Sequence, residues 1–339
     1  MGFKNPSVSI MIPCYNFKDR ILKAVNSALN QDYSDLEVIV LDDMSTDGSW
    51  DIIKSFYEGL REEEKKRIKI FRNENNLGRT KTYKKLLYGL SKGDWVLMLD
   101  GDDYLYDDSV ISAAICKFKE NYSDEIVAIL GGFVKYDSSV KKYFENIPPN
   151  KLIDGFRLVM KYPNIFYSHG AVLYDREKAL ELDFYRAGII SDDLESHLRF
   201  FLRGKVLYID KVFYVWNVTD FSATIKTTYS DFLDNVKKLT ESVYSDGVSL
   251  WPERKKIFDL WKKRSFLRLA NMLVSIYALK DNVSAKKIFS DVVARVGAVS
   301  LIFSSFFITL ILYSILPKFL FLKIRNKAML LRKKYFFEI

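Results

Sequence analysis

Short, continuous apolar runs alternate with stretches of helical periodicity through the first half of the chain. Val8–Ile12, Leu36–Leu41, Ile68–Phe71, Trp95–Leu99 and Ile126–Leu130 have the length and make-up of strands buried on both faces. Between them, Asp19–Asn30, Ser49 to about Glu64, Lys81–Leu90 and Ser109–Glu120 repeat apolar residues at three- and four-residue intervals and predict helices. In the first of these Ile21, Leu22, Val25, Ala28 and Leu29 share a face. Strand, helix, strand at this spacing predicts βαβ units and a mostly parallel sheet covered on both faces. Right-handed crossovers then put the strand C-termini on one edge, where open α/β sheets bind their ligands.

From Lys141 to Tyr167 the pattern loosens around Pro148-Pro149. A helix is expected over Asp193–Leu202, ended by Gly204, and strands over Val206–Ile209 and Val212–Val218. After about Thr224 the chain becomes helical and rich in Lys, Arg, Phe and Leu, without internal repeats or low-complexity segments. Three regions are expected: an α/β catalytic domain over 1–228, a basic amphipathic helical region over 229–290, and an apolar and basic segment over 291–339.

The chain has 339 residues, 49% of them hydrophobic, enough for a large core and against wholesale disorder. A formal net charge of +9 calls for an anionic partner without choosing between nucleic acid, phosphorylated substrate and acidic lipid. Cys14 and Cys116 lie outside any Cys-x-x-Cys and read as buried free thiols of a reducing compartment. Residues 1–7 contain no apolar run of signal-peptide length.

Candidate chemistry concentrates where the sheet argument places a site. Asp42-Asp43 follows the second strand, Asp100-Gly101-Asp102-Asp103 follows the fourth, and Asp192-Asp193 opens the helix that includes Glu195. Crowded carboxylates disfavour one another's ionised forms, and a divalent cation relieves that repulsion. Asp oxygens are hard ligands suited to Mg²⁺ or Mn²⁺, and Mg²⁺ leaves coordination positions to water and substrate phosphates. Asp47-Gly48 and Asp107-Asp108 before Ser109 read instead as turn and capping residues.

The segments VSIMIPCYN, VIVLDDMSTDGS, NENNLGRT and GDWVLMLDGDDYL, in that order, resemble the successive landmarks of family 2 glycosyltransferases. The likeness is close over about the first 105 residues and loose to about residue 220. It implies a GT-A fold, the Rossmann-like α/β fold of nucleotide-diphospho-sugar transferases, and inverting transfer from a UDP-sugar. By the same resemblance Pro13, Tyr15 and Asn16 wall the nucleotide pocket, with Tyr15 near the base. Asp43 matches the residue on the uracil and Asp42 its partner nearer the ribose. Asn76, Gly78 and Lys81 approach the nucleotide. Asp100-Gly101-Asp102 matches the Asp-x-Asp signature whose last acid, Asp102, contacts the metal. Asp193 falls at the position of the catalytic base, beside Asp192.

Departures from the family pattern exist. Thr82-Tyr83-Lys84 stands where the family often has Ala-Arg-Asn, leaving Arg79, Lys81 or Lys84 to supply positive charge. Ser196-His197-Leu198-Arg199-Phe200 only echoes the Gln-x-x-Arg-Trp of processive members, which favours addition of a single sugar. For His169 a core role and an acceptor-site role are both open; for His197 a helix-face position and a contact to the base or leaving phosphate are both open.

Val296–Pro317 carries almost no charge and is long enough to cross a bilayer, but basic residues flank it on both sides. An in-plane or re-entrant helix reconciles those flanks with a catalytic domain on the cytoplasmic face of the membrane, with a single crossing and a soluble core or oligomer helix as the alternatives. Lys255–Lys280 interleaves Ile257, Leu260, Trp261, Leu267 and Leu269 with Lys255, Lys256, Lys262, Lys263, Arg264 and Arg268, a composition suited to anionic lipid. The expectation is therefore an Mg²⁺- or Mn²⁺-dependent glycosyltransferase at an anionic membrane surface, acting on a lipid-linked or oligosaccharide acceptor, with no nucleic-acid partner. A nucleotidyltransferase, which would want a glycine-rich loop in place of PCYNFKDR, and a processive synthase are the alternatives.

Overall fold

The structure is a computed structural model that describes residues 5–137, 142–165, 167–218, 227–280 and 283–296. The expected apolar run Val296–Pro317 lies, but for its first residue, outside the described residues.

Ten strands form one sheet: β1 Val8–Cys14, β2 Leu36–Asp42, β3 Ile68–Arg72, β4 Trp95–Met98, β5 Tyr104–Leu105, β6 Ile126–Asp137, β7 Lys142–Asn146, β8 Lys151–Asp154, β9 Val172–Asp175 and β10 Lys205–Val218. Their order is β3-β2-β1-β4-β9-β6-β10-β5, with β7 on β6 and β8 on β10. The β3-β2-β1-β4 half is parallel, as the alternation of apolar runs and helices predicts. β1 is buried at every position and β4 likewise, so both faces are covered. The other half is mixed: β9 runs antiparallel to β4 and β6, and β5 antiparallel to β10, while β6 and β10 pair in parallel.

Local physics explains where the observed elements differ from the expected ones. The helix expected over residues 49–64 stops at Gly59, Leu60 turns extended, and the chain restarts as Glu62–Lys65 where the Glu64 carboxylate accepts the Arg61 backbone N–H. The helix expected from Lys81 starts at Arg79, behind Gly78 at φ +78°, and widens into a π-turn over Lys85–Leu90. The two strands expected over 206–218 are one strand broken by bulges around Val212. Over 141–167, β7, β8 and the helix Gly155–Lys161 form without a readable pattern, because β8 is a mostly exposed edge strand. Cys14 is buried, but Cys116 is exposed, a correction to the expectation that both thiols are buried. Burial, and then the neighbouring Asp42 carboxylate, pushes the Cys14 thiol up to about 12.

Two compact units emerge, the first holding most of residues 1–220 and the second most of 221–339 together with 160–165 and 189–191. In the second, helices Tyr229–Leu250, Lys255–Lys280 and Ala285–Val296 follow one another. Phe258 and Trp261 are buried, and Phe258 lies so close to Gly247 that a Cβ there would stand 2.2 Å from its ring. Ile257 and Leu260 on the same long helix are exposed, Leu260 at 71%. Among the described residues no helix is long and apolar enough to cross a membrane.

Candidate active site

The expected residues gather at the C-terminal ends of β1, β2 and β4. Asp42 ends β2 and is fully buried; its carboxylate faces Arg72 Nε at 3.1 Å and accepts the Ser45 backbone N–H. Asp43 Oδ1 accepts from Asn73 Nδ2 (2.7 Å) and the Leu77 backbone N–H (2.8 Å), and Oδ2 accepts from the Gly78 backbone N–H (2.9 Å). A carboxylate offers about four lone-pair sites, so one acceptor direction stays free for a ligand N–H. Asn76 also accepts from the Gly78 N–H, so the 76–78 turn is held on both sides.

After β1, Tyr15 is exposed and Asn16, at φ +59°, accepts the Thr46 N–H with its side-chain oxygen. The Gly101 N–H donates to the Pro13 carbonyl, and a Cβ on Gly101 would stand 2.7 Å from that oxygen. Glycine in the Asp-x-Asp is thus required by a close approach of two loops.

The acidic cluster after β4 carries the electrostatic stress foreseen from its crowding. Burial, then Asp100, pushes the Asp102 carboxyl up to about 7. Burial with both neighbours pushes Asp103 well above the usual range, although it accepts the Asn217 backbone N–H at 2.8 Å. Hard carboxylate oxygens held short of full ionisation fit a divalent cation. No three metal-ligating side chains converge among the described residues. One or two of these carboxylates would then hold the ion, with a diphosphate and water completing its shell.

One side chain missed by sequence reasoning ties the clusters together. Tyr83, 3% exposed, donates its hydroxyl to Asp100, stacks on His169 (centroids 5.5 Å apart, planes at 3°) and meets Tyr185 edge-on. His169 Nδ1 lies 3.6 Å from Asp193 Oδ2. The short helix Arg79–Lys84 therefore has its start held by Asp43, through Gly78, and carries a residue that touches both Asp100 and the ring beside Asp193. Its signal in the sequence was the departure Thr82-Tyr83-Lys84 from the family pattern.

Arg79 sits over the Tyr83 ring and in the field of Asp193, Asp100 and Asp192. Lys84 pairs instead with Asp183, and Lys81 is exposed. Asp193 is the one cluster carboxyl whose pKa falls: burial opposes ionisation, but His169, Arg79 and His197 outweigh it. Asp192 is pushed up by burial and accepts the Ala187 N–H, bracing the loop before the helix Asp192–Phe201.

His197 is wholly buried, and burial lowers its pKa to about 3, so the ring is neutral. Its Nδ1 lies 2.8 Å from the Asp193 carbonyl oxygen and 3.0 Å from the Tyr167 hydroxyl; a carbonyl only accepts, so Nδ1 carries the proton. Arg199 is fully buried, 2.6 Å from Glu195 Oε1, and donates to the carbonyls of Leu182 and Asp183. The structure therefore places Arg199 inside the protein, bracing the backbone behind the helix that starts at Asp192.

A sheet of this kind occurs in solved glycosyltransferases. The chain superimposes on the crystal structure of Staphylococcus aureus TarS residues 1–349 with a TM-score of 0.62 at 17% identity, over 87% of this chain and 82% of that one. The class of fold is thereby fixed as GT-A. The model described as "Glycosyl transferase family 2" matches residues 9–182, just over half of the chain, and the chain belongs to that family. It is 22% identical to glycosyltransferase GlyG of Streptococcus pneumoniae over 308 residues, 86% of this chain and 98% of GlyG. It is also 38% identical over 97 residues to the UDP-Glc:alpha-D-GlcNAc-diphosphoundecaprenol beta-1,3-glucosyltransferase WfaP of Escherichia coli. That match covers 29% of this chain and 36% of WfaP.

Proposed function

We propose that this glycosyltransferase moves one sugar, with inversion, from a UDP-sugar to a saccharide acceptor carried on a polyprenyl diphosphate, in the assembly of a cell-surface glycan at the cytoplasmic face of the membrane. The observation that carries the reading is the contact path Asp43–Gly78–Tyr83–Asp100 and Tyr83–His169–Asp193. It links a residue suited to a nucleobase, the Asp-x-Asp and an ionised carboxylate. The acceptor class is supported by the likeness to WfaP, a beta-1,3-glucosyltransferase acting on alpha-D-GlcNAc-diphosphoundecaprenol.

Tyr15 and Asp43 hold the base. Asp102, with Asp100 beside it, would hold Mg²⁺ or Mn²⁺, which when bound neutralises charge on the departing diphosphate. Arg79 adds a fixed positive charge near the same acids. Asp193 accepts the proton of the acceptor hydroxyl while that oxygen bonds to the anomeric carbon and the bond from that carbon to the diphosphate breaks. No covalent sugar–enzyme intermediate forms.

The test is a screen of UDP- and GDP-sugars for Mn²⁺-stimulated hydrolysis and for transfer. A UDP-sugar should be the substrate and chelation should stop turnover. Asp102→Asn should abolish both reactions. Asp193→Asn should keep UDP binding and lose transfer by about 10²–10⁴-fold. Transfer by Asp193→Asn at the normal rate would refute the choice of base.

A further inference from the structure

We propose that the acceptor saccharide lies along β10, with one pyranose ring stacked on Trp216 and the next presented to His169 and Asp193. The proposal rests on the glycosyltransfer reading above and names the ligand class of its second substrate.

Trp216 is 37% exposed, near the end of a strand whose other aromatic side chains, Tyr208, Phe213 and Tyr214, are buried. The register pairs Tyr214 with Phe133 and Trp216 with Lys135. The Phe133 ring lies 6.2 Å from Tyr214 and 6.4 Å from Trp216, so these rings share one face of the sheet. Val134 and Val215 fill the other face. Lys135 Nζ stands over the Trp216 ring, 5.5 Å from its centroid, so the cation covers one face of the indole and the opposite face is the one offered to a sugar.

The same face leads to Asp193. The Tyr214 hydroxyl bonds Ser168 Oγ, and a Cβ on Gly170 would stand 2.7 Å from the Tyr214 ring, so the 168–170 turn lies directly against it. His169, between them, faces Asp193. Its side chain is 12% exposed, and neither ring nitrogen makes a hydrogen bond among the described residues. A buried polar group left without a partner is costly, and a substrate hydroxyl would supply the missing hydrogen bond. On the other side of Trp216, Asn217 donates its side-chain N–H to the Asp102 carbonyl and its backbone N–H to Asp103. The strand that carries Trp216 is therefore held on one side, through Asn217, to the Asp-x-Asp loop and on the other, through Tyr214, to the turn that carries His169.

Spacing fits a sugar chain. Trp216 is two residues beyond Tyr214, about 7 Å along the strand, roughly one sugar residue. Across the sheet, Asp43 follows β2, β4 precedes the Asp-x-Asp, His169 precedes β9, and Trp216 lies near the end of β10. Four strands, β1, β4, β9 and β6, stand between β2 and β10 in the sheet order, so Trp216 is placed away from a base held at Asp43. The C–H face of a pyranose, polarised positive by its oxygens, complements the negative face of an indole. Its hydroxyl edge would meet His169.

The experiment is calorimetry on the full chain with UDP and Mn²⁺ present. The probe is a disaccharide diphosphate, with N-acetylglucosamine next to the diphosphate and a short alkyl chain beyond it, and the same alkyl diphosphate without sugar is the control. Trp216→Ala should weaken the probe by about tenfold or more, and Trp216→Phe should recover most of that loss. UDP affinity should be equal in all three proteins, and the sugar-free diphosphate should not distinguish them. Trp216→Ala binding the probe within about twofold of the wild type would overturn the proposal. So would a wild type that ignores the probe, or an equal loss for the sugar-free control. Absence of UDP binding throughout would instead strike the glycosyltransfer reading, since Trp216 takes no part in nucleotide binding.

Discussion

Opposing influences meet at Asp193. Burial favours its protonated form, and the surrounding positive charge favours the carboxylate and prevails. Of the groups responsible, His169 contributes most and Arg79, charged at every working pH, comes next, whereas burial keeps His197 neutral. A base with a lowered pKa stays ionised through neutral pH and is lost only in acid. With the metal saturating, so that Asp102 is held ionised, the acid limb of kcat/KM should thus lie below about 4, the ordinary aspartate value, and Arg79→Gln should move it upward. A pH–rate profile at saturating metal checks this; a wild-type limb that stays centred near neutrality as metal is raised would contradict it. The associated stability has the same sign: present above the ordinary carboxyl value and lost as pH falls through the lowered folded one. Tyr83 offers a cleaner dissection. Tyr83→Phe keeps the stack on His169 but removes the donor to Asp100, so transfer should fall about tenfold, as for a hydrogen bond to a charged group. The melting temperature should hardly move. Tyr83→Ala also empties a buried site and should cost about 3–5 kcal/mol in urea unfolding.

The helix Asp192–Phe201 shows how an element can serve a site through its buried face. Asp192 and Asp193 open it, while one turn on Glu195 and then Arg199 form an ion pair with no solvent exposure. Arg199→Ala removes the close partner of the Glu195 carboxylate, leaving Arg186 Nε at 3.7 Å, and takes the donors from the carbonyls of Leu182 and Asp183, and should cost about 3 kcal/mol. Arg199→Met with Glu195→Leu should recover much of that, because a well-packed apolar pair avoids the desolvation of two charges. Urea unfolding of the wild type and the two variants would show it; a double variant that loses as much as Arg199→Ala would mean that apolar packing does not replace the pair. None of this was legible beforehand, since residue type alone cannot tell an inward arginine from a substrate-binding one. What was legible had strong local causes. Runs such as VSIMI and WVLML can only be buried strands in an α/β chain, and Asp-Gly-Asp follows one of them directly. Residues joined by tertiary contact, Tyr83 to His169 and Trp216 to Phe133, gave no such signal. Nor did β8, which pairs at an exposed edge where no apolar alternation is needed.

For the molecule as a whole, the surplus of nine positive charges is the property the catalytic chemistry does not use. On the long helix Lys255–Lys280, Ile257 and Leu260 are exposed among the exposed residues Lys255, Lys256 and Lys263. Isolated apolar side chains at a surface are ordinary, but a short apolar stripe bordered by lysines fits the boundary between lipid headgroups and acyl chains. Each lysine near an anionic leaflet contributes about 1 kcal/mol, screened within a Debye length of about 10 Å at 0.1 M salt. The full chain should therefore float with vesicles containing phosphatidylserine or phosphatidylglycerol and much less with neutral phosphatidylcholine vesicles. Raising salt should lower capture, and Leu260→Asp should lower it further without changing UDP binding. Capture that ignores lipid charge would point to apolar insertion alone, as a crossing by residues 296–317 would give. Loss of UDP binding in Leu260→Asp would mean that the substitution unfolds the protein rather than stripping it from a surface. Only a salt-sensitive, UDP-neutral loss places the long helix on the lipid, where a polyprenyl-linked acceptor would be found.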